Sequence, residues 1–122
     1  INLPLMVYWG ALGEAIAILG ERGISYEQAF DILTDSSGAI GPAKMRQGPI
    51  IELLKTGSSG VSNFAVDQAL KDMALMCDLA RDEAAPAPII AAATATAREA
   101  ADAGWSDKDI SLLAAWRKSN RT

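Results

Sequence analysis

The residues best suited to chemistry stand in one stretch, Phe64-Ala-Val-Asp-Gln-Ala-Leu-Lys-Asp72, which reads as the start of a long helix continuing through Met73 to Arg81. Side chains three, four and seven apart are neighbours on a helix, so Phe64, Asp67, Lys71, Ala74 and Asp78 share one line. Gln68, Asp72, Leu75 and Leu79 share the next. Asp72 therefore heads an otherwise apolar row, where its carboxylate is expected to be partly shielded from water, a costly position unless a donor or cation meets it. The competing reading is a wet helix face. Asp67 to Lys71 and Gln68 to Asp72 are both i to i+4 pairs that suit exposed helix, and spacing alone favours this second reading.

Composition narrows the chemistry further. The chain has no His and a single Cys, Cys77. An internal disulfide, the usual transition-metal constellations and every His-based acid, base or triad are thereby excluded, and no metal is expected. Catalysis must use Lys, Asp, Glu, Tyr or a cofactor. With 122 residues, half of them hydrophobic, one domain can bury a modest core without staples. The net charge of −4, with the basic residues scattered, gives no footprint for a phosphate backbone, so nucleic acid is not an expected partner. Residues 1–19 are strongly apolar, but Glu14 interrupts them and the basic start of a signal peptide is missing. They read as a buried helix of a cytoplasmic protein with no membrane partner. The chain opens on Ile1, inside an apolar run, as a fragment would.

The elements that must position these residues follow from periodicity and caps. Residues 3–22 should form the central helix, with Leu5, Tyr8 or Trp9, Leu12, Ile16 and Leu19 recurring at three and four, Pro4 in its first turn and Gly23 as its left-handed stop. Gly10 and Gly13 each cost about 1 kcal/mol against Ala in a helix, which points to another backbone passing closely. Ser25 with Gln28 forms a capping box for a helix ending near Asp35, with Tyr26, Ala29, Phe30 and Leu33 inward. Between turns, 43–47 reads as a short helix and Pro49 opens another over 50–55. The Gly/Ser-rich 56–63 is a connection, having neither GxGxxG nor a Walker pattern. Asn63 is expected to cap a helix to Glu83 whose inner stripe is Val66, Leu70, Met73, Cys77 and Ala80, Cys77 being an inert buried thiol. Pro88 opens an alanine-rich helix to Ala103, closed by Gly104. Ser106 with Asp109 suggests a second capping box for a helix over 107–118, with Ile110, Leu113 and Ala114 inward. No convincing strand and no repeat occurs, so the fold class is all-α, about six helices around a central apolar one.

This order of pieces resembles the C-terminal helical domain of the β-hydroxyacid dehydrogenase family, which includes 3-hydroxyisobutyrate dehydrogenase, tartronate semialdehyde reductase and glyoxylate/succinic semialdehyde reductases. The residues that carry the resemblance are Asn2 at the head of the apolar helix with Glu14, Ala15 and Gly23, then Phe64 followed by Lys71-Asp72, then Pro88, then Gly104 with Asp109-Ile110-Ser111. It covers nearly the whole chain. The related 6-phosphogluconate dehydrogenases share the plan.

The resemblance implies that 1–122 is a single C-terminal domain for substrate and dimerisation, with the N-terminal Rossmann domain, which binds NAD or NADP, absent from this chain. It implies an oxidoreductase that interconverts a small β-hydroxyacid and its semialdehyde or keto form, inactive as this piece alone, and a homodimer or higher assembly. In the family's Lys-x3-Asn pattern the lysine is the acid/base; with Asn2 as the substrate-binding asparagine, that lysine lies four residues before it. An i to i+4 spacing puts both on one helix face, as shared work on one substrate requires. By the same resemblance Lys71 contacts the nicotinamide cofactor, Phe64 lines the cleft beside it, and Asp72 supports catalysis by positioning the lysine. The chain departs from the pattern at Pro4, where the family's interdomain helix runs on. A free-standing helical dimerisation module without catalysis is the alternative.

Overall fold

The computed structural model describes residues 2–19, 23–60 and 62–120. Among them run six α-helices: α1 (Leu3–Leu19), α2 (Tyr26–Thr34), α3 (Ala43–Thr56), α4 (Val66–Asp82), α5 (Pro88–Ala100) and α6 (Trp116–Ser119), with a 3-10 segment at Ile110–Ala115 leading into α6. The fold is all-α. Its only β pairing among the described residues is an isolated bridge between Ala65 and Asp109.

Helix α1 is central, in contact with α2, α4, α5, α6 and the 3-10 segment. Its buried side is Met6, Trp9, Leu12, Gly13 and Ile16, so Met6 replaces the expected Leu5 at the first core position. Pro4 stands in the first turn, and the Asn2 carbonyl accepts the Met6 N–H at 2.9 Å. The expected last turn, 20–22, lies outside the described residues. Gly23 takes φ +76°. Gly13 is the close approach foreseen for the glycines: a Cβ there would stand 2.8 Å from the Leu113 carbonyl oxygen, so helix and 3-10 segment meet backbone to backbone. Gly10 has no such neighbour.

Helix α2 starts as expected, with both halves of the Ser25–Gln28 capping box formed and Asp35 as the C-cap. Its partner corrects the sequence reading: 43–56 is one helix with Pro49 inside it, not two short ones. Pro49 removes one donor, the one that would meet the Met45 carbonyl, where the Met45 side chain is exposed. Burial of Ile50, Ile51 and Leu53 outweighs that loss. Gln47 and Lys44 of α3 bind Asp31 of α2, at 2.7 and 3.1 Å, and fix the pair side by side.

Two further expectations are corrected by one arrangement. Asn63 does not cap α4; Ala65 precedes the helix, and the carbonyls of Lys108 and Ser106 accept the Val66 and Asp67 N–H groups at 2.8 and 2.9 Å. No single α-helix runs over 107–118; Ile110–Ala115 is 3-10 and α6 begins only at Trp116. Asp109 caps the 3-10 segment through the Ser111 N–H, and all of Ile110–Ala115 is buried against α1 and α3. A chain passing through the core at that point cannot keep a solvent face, which is why an amphipathic helix does not form there. Helix α5 ends at Ala100 and opens into a wide turn over Ala101–Trp105, with Gly104 at φ +101°. Cys77 is half-buried, its Sγ 3.7 Å from the Thr94 hydroxyl.

Candidate functional site

The site builds outward from a buried carboxylate. Asp109 is 2% exposed, and its two oxygens are fully used. Oδ1 accepts the backbone N–H groups of Asn63 and Phe64 at 2.8 and 3.0 Å, while Oδ2 accepts the Ser111 N–H and hydroxyl at 3.0 and 2.5 Å. Burial alone would raise its pKa, but the Ser111 hydroxyl and the Phe64, Ser111 and Asn63 N–H groups outweigh it and hold the carboxyl below its ordinary value. The Phe64 carbonyl returns a bond by accepting the Ile110 N–H at 2.8 Å. The loop that ends in Phe64 is thus fastened to the core segment on both sides.

Beside this clasp lies a cavity of about 160 Å³, lined by Leu5 and Trp9 of α1, Pro42 and Arg46 at the start of α3, Phe64, Asp109, Ile110 and Ser111. Arg46 is half-buried. With the Asn63 amide oxygen turned toward it, that oxygen accepts from both terminal guanidinium nitrogens, at 3.3 and 2.9 Å. A larger groove of about 370 Å³ between α1 and α5 holds one ionisable side chain, Glu14, and no converging polar set.

Of the residues nominated from the sequence, Phe64 alone lines the cavity. Asn2 is exposed at the head of α1, one turn before Leu5. Lys71 and Asp72 are both exposed on α4, and the shielding expected for Asp72 does not occur. Leu75 and Leu79, which were to shield it, are 65% and 61% exposed, so the row that Asp72 heads faces outward. Neither Lys71 nor Asp72 forms an ion pair among the described residues. Sequence reasoning missed Arg46 and Asn63 as partners, and read Asp109 as the third residue of a capping box.

Residues 2–116 match the family described as NAD-binding of NADP-dependent 3-hydroxyisobutyrate dehydrogenase. The chain belongs to that family. Its structure is similar to that of a 3-hydroxyisobutyrate dehydrogenase from Salmonella typhimurium, with a TM-score of 0.80 and 26% identity over 93% of this chain and 38% of that one. The chain therefore spans well under half the length of that relative. No curated protein sequence matches it. The resemblance to the β-hydroxyacid dehydrogenases is thus shown, and with it the all-α fold. Among the described residues, no helix is long and apolar enough to cross a membrane.

The two residues that the resemblance offers to a cofactor stand seven apart in the sequence, Phe64 in the cavity lining and Lys71 exposed on α4. Lys71 offers an ammonium with no ion-pair partner among the described residues, and Phe64 offers an apolar ring held by its backbone. A cation for an anionic group and a flat surface for a ring are what a dinucleotide asks of a wall.

Proposed function

We propose that this chain is the C-terminal domain of an NAD(P)-dependent oxidoreductase interconverting a small β-hydroxyacid and its semialdehyde or keto form. It works together with an N-terminal Rossmann domain, as a homodimer or larger assembly, and is inactive alone. The observation that carries this reading is the family match over nearly the whole chain, 2–116. NAD or NADP, when bound, would supply the hydride chemistry.

This chain's residues form the other side of the cleft. Phe64, with its ring, and Lys71, with its ammonium, would hold the cofactor. Asn2 holds the substrate with its amide while a lysine four residues earlier, one turn away on the same face, exchanges the proton of the substrate hydroxyl. Asp72 stands near that lysine and holds it in place, which gives the exposed carboxylate the partner that the described residues do not supply. Leu75 and Leu79 continue the Asp72 row as an apolar strip suited to cover by another domain.

Sequencing the gene upstream of Ile1 tests the reading. A GxGxxG after a first strand and a lysine four residues before Asn2 are expected. An initiator Met directly before this region, with neither feature, returns the chain to a dimerisation module.

A further inference from the structure

We infer that Arg46 binds the substrate's acidic group, its guanidinium taking the carboxylate of the hydroxyacid in the cavity beside Phe64. This rests on the dehydrogenase reading above and adds the residue that selects for an anionic substrate.

Four observations converge on it. First, the cavity wall is mostly apolar, with Leu5, Trp9, Phe64 and Ile110, and a half-buried arginine lining such a wall calls for an anion. Second, that anion is not supplied by the described residues. Arg46 forms no ion pair among them, and the one carboxylate lining the cavity, Asp109, already accepts four hydrogen bonds. Third, the guanidinium is held in place. With its amide oxygen turned toward Arg46, Asn63 accepts from both terminal nitrogens, and the Asn63 backbone is itself fastened to Asp109. Of the five guanidinium N–H groups, three remain, enough for the paired grip on a carboxylate at which arginine excels. Fourth, size and place agree. At about 160 Å³ the cavity is smaller than the roughly 300–1,000 Å³ of pockets for drug-sized ligands, and it opens against Leu5, one turn from Asn2. A small acid gripped by Arg46 directs its remaining atoms toward the head of α1.

The test is steady-state kinetics of the full-length protein, wild type, Arg46→Gln and Arg46→Lys. The probes are 3-hydroxyisobutyrate, or whichever small β-hydroxyacid the wild type turns over fastest, its methyl ester, and NAD(P). Losing a charged hydrogen-bond pair should raise KM for the acid about tenfold to a hundredfold in Arg46→Gln. KM for NAD(P) and the kinetics of the ester should stay within about twofold, and Arg46→Lys should recover part of the loss. An unchanged KM for the acid in an active enzyme overturns this inference alone. A rise confined to NAD(P) also overturns it, by moving Arg46 to the cofactor's phosphates. A wild type that oxidises no β-hydroxyacid with either cofactor overturns the dehydrogenase reading and this inference with it.

Discussion

The carboxylate of Asp109 accepts the backbone N–H of Phe64 at 3.0 Å across 45 residues of chain, and so ties the loop that presents the cavity's aromatic wall to the segment passing through the core. Removing the charge leaves up to four donors poorly met, three of them backbone N–H groups that cannot turn away. Asp109→Asn should cost roughly 2–4 kcal/mol near neutral pH, read by urea denaturation, while exposed carboxylates such as Asp102 should tolerate the same change within about 0.5 kcal/mol.

The same carboxylate gives a pH dependence of known sign. Its folded pKa is lowered, so its stabilisation is present above the unfolded value of about 4 and is lost as pH falls through the folded value. Denaturation series between about pH 6 and 3 should show wild type losing more stability on acidification than Asp109→Asn. Parallel curves would mean that the clasp does not depend on the charge.

The two glycines of α1 should respond oppositely to alanine. At Gly13 the new methyl meets the Leu113 carbonyl at 2.8 Å, and because that oxygen belongs to backbone the helix must shift, for a loss of about 1–3 kcal/mol. At Gly10 nothing lies within 4 Å, and the helix should gain up to about 1 kcal/mol. Thermal unfolding of both variants decides it, and equal effects would contradict the close approach.

Much of the fold was readable because its signals are local. The Ser25–Gln28 box, the start of α5 at Pro88 and the left-handed Gly23 and Gly104 each depend on residues within a turn of one another. What failed depends on distant chain. Pro49 reads as a break until the packing of Ile50, Ile51 and Leu53 is known, and Asn63 reads as a cap until Lys108 and Ser106 arrive to take that role. The site divides in the same way. Phe64, Lys71 and Asp72 are singled out by the family resemblance of one local motif, spacing alone favouring a wet helix face, whereas Arg46 is a lone cation in a Gly/Pro-rich stretch and acquires meaning only when the fold sets it against Asn63 and Phe64. Asp109-x-Ser111 was the one local hint of the clasp, since an Asp two residues before a Ser is well placed to cap a turn.

The exposed apolar side chains point to association. Ile18, Leu75, Leu79 and Ile89 are each more than 60% exposed, an apolar load that favours self-association over a lone monomer. The chain should form at least a dimer, and light scattering that shows a stable monomer at high micromolar concentration would contradict this.

Steady-state kinetics across pH for Lys71→Ala and Asp72→Asn in the full-length protein test the central claim most directly, because a wet helix face and a catalytic cleft make opposite demands on these two exposed residues. As part of the cleft, Lys71→Ala should chiefly raise KM for NAD(P). Asp72→Asn should lower kcat and move the lysine-dependent limb of the profile to lower pH, since an opposite charge nearby raises a lysine's pKa and its loss removes that support. Wild-type kinetics and wild-type pH profiles from both variants would contradict the claim and make the helix from Val66 to Asp82 scaffold.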